Sequence, residues 1–146
     1  MDGSIRNIVH ATSASAAAIA AVLSPFPLLD ELVLGPLYGA MAFRIGRLHQ
    51  LGFGEIPWRP VVRTTVNGLI ARAGANVAVA FIPGVAAAAN AVTAAALGEW
   101  LGHYVDESCA SPADARVVPV RDLFERMCDR IAALGRRPSG QASHAA

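Results

Sequence analysis

Glu99, His103 and Glu107 recur every four residues, so on a helix the three share one face. Imidazole and carboxylate are the usual ligands of zinc and carriers of protons, so such a row is where a metal or acid–base site could begin. Alone it supplies too few ligands for a closed tetrahedral site, and a solvated Glu-His-Glu edge is the commoner outcome. His10 stands in an apolar stretch and reads as a tolerated or hydrogen-bonded histidine rather than a catalyst. Cys109 and Cys128 fall in no metal spacing and make no disulfide framework, and no histidine can be placed beside Cys109. Ser13 and Ser15 suit helix packing as well as anything else. No set of nucleophile, base and oxyanion donors can be assembled. The sequence therefore predicts no enzyme, no cofactor and no metal.

The elements that would position any chemistry are helices rich in small residues. Residues 73–98 form a run of 26 without a charge, twelve of them alanine. Length alone would let it cross a bilayer. Ile82-Pro83-Gly84 argues for a tight corner instead, because proline removes a backbone donor and glycine frees the chain. After that corner Gly84, Ala88, Ala91, Ala95, Gly98 and Gly102 recur at intervals of four and three, as one smooth stripe. Residues 7–29 are a second uncharged run of 23, closed by Ser24-Pro25-Phe26-Pro27, with Ala11, Ala14, Ala18 and Ala21 at the same period.

Helices are predicted over about 5–23, 28–51, 61–82 and 84–106. Asp30 and Glu31 fall in the first turn of the second, where carboxylates suit the helix dipole, and Gly52 ends it. Pro36 would kink that helix. Gly35, Gly39, Ala42 and Gly46 give it a smooth stripe of its own, able to face the one on the fourth helix. Arg72, near the middle of the third helix, makes that helix a poor free-standing membrane span; in a bundle it points to water or pairs with a carboxylate. Residues 108–119 read as a linker. Val120, Leu123, Phe124, Met127, Cys128, Ile131 and Leu134 then mark the apolar face of an amphipathic helix over 120–135, and 136–146 as a disordered tail. The predicted fold is all-α, an antiparallel bundle of two Pro-cornered hairpins (1–107) plus this last helix.

Composition agrees with that architecture. Of 146 residues 54% are hydrophobic and only 16% charged, against about 25% in ordinary globular proteins. Mean hydropathy is +0.43. A net charge of +1 gives no broad field for nucleic acid. Asp2 and a single Arg6 precede the first apolar stretch, which is weak for a secretory signal.

Folding the first four helices up and down collects Arg44, Arg47, Arg59 and Arg63, with Arg6, at one pole, together with Glu55, Glu99, Asp106 and Glu107. Phe26, Leu28, Leu29, Phe81, Ile82 and Val85 gather at the other. An apolar tip with arginine behind it suits a membrane interface at the cytoplasmic face. The alternative is a soluble interaction protein whose tip is covered by the last helix or by another copy in an oligomer.

The ordered set Ser-Pro-Phe-Pro-Leu-Leu-Asp (24–30), Leu-Gly-Pro-Leu-Tyr-Gly-Ala-Met (34–41), Ile-Gly-Arg-Leu (45–48), Ile82-Pro83-Gly84, Asn90-Ala91 and Leu97-Gly98 resembles the GTPase-associated hydrophobic domain of unknown function, the YcjF-like family. The resemblance covers about residues 11–107, and Tyr38 stands where that family usually has glutamine. It implies membrane association and a GTPase as a separate partner. The GxxxxGK[ST] phosphate loop is absent, so the chain is not itself a P-loop GTPase.

Overall fold

The computed structural model describes residues 2–23, 29–79 and 86–135. They form α1 (Gly3–Leu23), α2 (Leu29–Leu48), α3 (Trp58–Val79), α4 (Ala86–Ala110) and α5 (Val120–Gly135), with a short 3-10 turn at Pro112–Asp114 before α5 and no strand among the described residues. Both proline corners, Phe26, Leu28, Phe81, Ile82, Gly84, Val85 and the tail 136–146 lie outside the described residues.

The chain runs up and down. Along α4, Asn90, Gly98 and Gly102 meet Ala20, Ser13 and Val9 of α1 in descending order, so α1 is antiparallel to it. Asp30, Tyr38 and Gly46 of α2 meet Asn90, Ala94 and Cys109 in ascending order. α3 again descends, with Gly68 against Leu97 and Asn76 against Asn90. α4 is thus the central helix, and it touches all four others. Its buried face is Ala89, Thr93, Leu97, Leu101, Val105 and their neighbours; Leu34, Tyr38, Met41 and Ile45 of α2 and Ile5 and Val9 of α1 complete the core.

The smooth stripes are used differently from the expectation. α4 packs most extensively on α1, not α2. A Cβ at Gly102 would overlap Val9 Cγ2, and one at Gly98 would lie 2.6 Å from Ser13 Oγ. Ala88 is exposed, Ala91 and Ala95 are half-buried, and Ala11, Ala14, Ala18 and Ala21 of α1 all face solvent. On α2, Ala42 and Gly46 are buried while Gly35 and Gly39 are half-buried; Gly46 receives Ile56 from the following loop rather than α4's stripe. The reason is degeneracy. In helices this rich in alanine several stripes fit the period, and the few bulky residues choose the buried one.

These contacts give opposite expectations for one substitution at two sites. Gly102→Ala should destabilise by about 1–3 kcal/mol through overpacking, because β-branched Val9 is stiff at the point of contact. Val9→Ala in the same chain should relieve part of that loss, a coupling a double-mutant cycle in urea will measure. At Gly39 nothing lies within 4 Å of an added Cβ, so Gly39→Ala should stabilise by about 0.5–1 kcal/mol. Equal effects at the two positions would mean α1 and α4 are not in close contact.

α2 continues through Pro36, whose missing donor leaves only the carbonyl of exposed Leu32 without its intrahelical partner. It ends before Gly52. Gln50 takes φ 62 and its N–H donates to the Arg47 carbonyl, while the Leu51 N–H donates to the Gly46 carbonyl, a paired left-handed cap on a non-glycine residue. α5 lies on α3 and α4, burying Leu123 and Met127. Its approach is held by the Val118 N–H on Thr64 Oγ1 (3.0 Å), Asn67 Nδ2 on the Val118 carbonyl (2.8 Å) and the Tyr104 hydroxyl on the Arg116 carbonyl (2.7 Å).

Candidate functional site around a buried arginine

Arg72 is the lone charge between Arg63 and Glu99 in the sequence, and in the fold it is fully buried. A buried guanidinium must find acceptors or it unfolds its surroundings. α2 brings two: Arg72 Nη2 donates to Asp30 Oδ2 at 2.8 Å, and Nη1 donates to Glu31 Oε1. α4 brings the third, since Nη2 also donates to Asn90 Oδ1. The Asn90 amide then reaches outward. Its Nδ2 donates to Asp30 Oδ2 at 3.0 Å and to the Ala20 carbonyl of α1 at 2.7 Å, while Asn76 Nδ2 of α3 donates to Asn90 Oδ1 at 2.6 Å. Thr93 Oγ1 closes the set on Asn76 Oδ1 (3.1 Å) and the Ala89 carbonyl (2.8 Å). One network ties all four main helices at the tip-side pole.

Its electrostatics are unbalanced, two carboxyls for one guanidinium. Glu31 is half-buried, and its pKa rises from 4.5 to about 7; burial is the largest cause, opposed by Arg72 and reinforced by the Asp30 charge. Glu31 Oε2 and Arg72 Nε are buried without a partner. Burial also pushes the Tyr38 phenol up, and its hydroxyl donates to the Ala94 carbonyl at 2.7 Å, which makes it a strut between α2 and α4.

Elsewhere the polar groups pair without assembling a reactive set. Glu99 is met by His10 Nδ1 at 2.7 Å rather than by the row on its own helix, and His103 is exposed. His49 Nε2 lies 2.7 Å from Asp106 Oδ1. Burial, then the Asp106 charge, pushes the Cys109 thiol up to about 11, far from the thiolate a nucleophile needs. No group of three or more His, Cys, Asp or Glu fit to hold a metal ion occurs among the described residues.

Of the sequence-predicted site residues, Gly98, Gly102, Ala42 and Gly46 are in the interior, and Arg44, Arg47, Arg59 and Arg63 are exposed near the α2–α3 turn. Leu29 is exposed at the opposite pole. The network residues Asn76, Asn90 and Thr93 are not among the sequence-predicted site residues. Their signal was the isolation of Arg72 in an uncharged stretch, which demands buried acceptors. Asp30 and Asn90 meet on that arginine. Compared with protein-family models, curated proteins and solved structures, the chain matches none.

Proposed function

We propose that this chain is a non-enzymatic, membrane-associated helical module, an anchor or partner for a GTPase-linked system. One observation carries the reading. Segments 11–23, 29–40, 66–79 and 86–98, which make up one half of the four-helix bundle, contain only three charged residues, Asp30, Glu31 and Arg72, and these are joined to one another inside it. Leu29, Leu32, Val33, Ile70 and Val77 meanwhile remain exposed there, with Leu32 at 73%. α5, whose Phe124 lies against Gly74, carries exposed Arg121, Asp122, Glu125, Arg126 and Asp129 beside α3. The side of this half that suits shallow insertion into a lipid interface is therefore the one formed by α2 and the face of α3 turned away from α5. Shallow insertion is also what the helices permit, since no described helix is long and apolar enough to cross a membrane. The GTPase partner rests on the YcjF-like resemblance.

Liposome flotation tests the reading. The protein should rise with vesicles of phosphatidylcholine and phosphatidylglycerol and stay with them through a high-salt wash and, at least in part, a carbonate wash. Protein that stays at the bottom with every lipid, and scatters light as a defined oligomer in plain buffer, would replace it with a soluble all-α interaction protein.

A further inference from the structure

Resting on that reading, we infer that the outward wall of the α2–α3 hairpin is the docking surface and that its occupant is an anionic bilayer. The two helices are neighbours, with Gly35 of α2 against Leu69 of α3. On α3 the exposed residues Val62, Val66, Ile70 and Val77 recur at helical spacing in one stripe, with exposed Arg59 and Arg63 at its end near the loop. On α2 the exposed stripe is Leu32, Val33, Pro36 and Phe43, again finished by exposed Arg44 and Arg47. Each helix thus presents apolar side chains toward the tip and arginines toward the loop, on the side turned away from the core.

Charge complementarity chooses the occupant. Of eleven acidic residues the hairpin holds three, and two of them, Asp30 and Glu31, are taken up by Arg72. Glu55 is its one exposed acid, and it binds the Gly52 N–H. The four exposed arginines form no salt bridge among the described residues. A second copy of this wall would bring arginine against arginine in a parallel pairing. A phosphate-rich headgroup layer meets them with opposite charge, and guanidinium matches phosphate in bidentate geometry. The geometry suits a shallow pose: with the wall laid against the bilayer, its apolar side chains reach the acyl boundary and its arginines meet the phosphates.

Vesicle binding separates this from the broader reading. Unilamellar vesicles of phosphatidylcholine alone and of phosphatidylcholine with phosphatidylglycerol are titrated with the wild type, with Arg44→Gln/Arg47→Gln/Arg59→Gln/Arg63→Gln, with Val66→Glu/Ile70→Glu, and with Arg116→Gln/Arg121→Gln off the wall. All substituted side chains are at least half-exposed or exposed, and circular dichroism checks that each variant is folded. Each basic side chain at an anionic surface contributes up to about fivefold in binding. The wild type should prefer anionic vesicles by more than about tenfold, the arginine variant should lose most of that preference, and the Val66/Ile70 variant should lose binding to both. The Arg116/Arg121 variant should behave as wild type. Wild-type flotation unchanged by both wall variants overturns this surface while leaving membrane association standing. Failure of the wild type itself removes both, and a dimer broken by Val66→Glu/Ile70→Glu without any vesicle effect gives the wall to a second copy.

Discussion

Arg72→Met should cost about 3–5 kcal/mol of folding free energy, a fall in Tm of about 10–15 °C for a chain of this size. The loss does not measure the strength of an ion pair. It is the cost of leaving Asp30 and Glu31 in a low-dielectric site without their cation, with the Asn90 amide oxygen deprived of a donor. Methionine fills much of the same volume, so cavity formation adds little. Neutralising the stranded carboxylates should reverse the damage. Arg72→Met/Asp30→Asn/Glu31→Gln carries no buried charge, and it should recover most of the stability that Arg72→Met alone loses. Urea titration of the single and triple variants decides. A single variant within about 1 kcal/mol of wild type would place Arg72 in water and remove the network from the core.

The network also marks the boundary of what the sequence could tell. Five helices and their order are legible, because Pro, Gly and the two uncharged runs punctuate the chain and the α5 face is plainly amphipathic, whereas α4 runs to Ala110, past the expected end near 106 and into the expected linker. That Arg72 needs a carboxylate or water is legible too. Which carboxylate is not, since Asp30 and Glu31 lie 42 and 41 residues away and only tertiary packing brings them in. The buried faces of α1 and α4 are hidden for a different reason. Alanine at nearly every position erases the contrast on which periodicity depends, so Ala11, Ala14 and Ala18 look as fit for a core as Val9, Ser13 and Ala16. The cap at Gln50 is misread as Gly52 because a pair of backbone hydrogen bonds can hold a non-glycine residue in the left-handed region. The outward wall of α2–α3 has a similar difficulty. Nothing in the periodicity of α3 separates Val62, Val66 and Ile70 from its core residues, and it is the fold that leaves them exposed among the described residues.

Stability should fall as pH rises from about 5 to 8, through Glu31. Its carboxyl titrates at about 7 in the fold against an ordinary 4.5, because burial outweighs the attraction of Arg72. Between those values the folded protein holds a proton that the unfolded chain has released, so the linkage slope is negative. The contribution is complete below about pH 4.5, is lost progressively up to about 7, and is gone above it. The gap corresponds to on the order of 3 kcal/mol. Other groups titrate in the same window, so the clean quantity is the difference between wild type and Glu31→Gln, which keeps an oxygen for the Arg72 N–H but has no proton to lose. That difference should change by about 2–3 kcal/mol between pH 5 and pH 8, with the variant the more stable at the upper end. A slope of the other sign would mean that attraction to Arg72 exceeds the cost of burying Glu31, and a flat difference would mean the carboxyl is solvated. The groups that decide between these outcomes are Arg72 of α3, which donates to Glu31, and Asp30 beside it, itself held by Arg72 and by Asn90 of α4. Protonation takes one negative charge off the apolar pole, so a negative slope carries a consequence at the vesicle surface: wild-type flotation should strengthen as pH drops through 7, and that of Glu31→Gln should not.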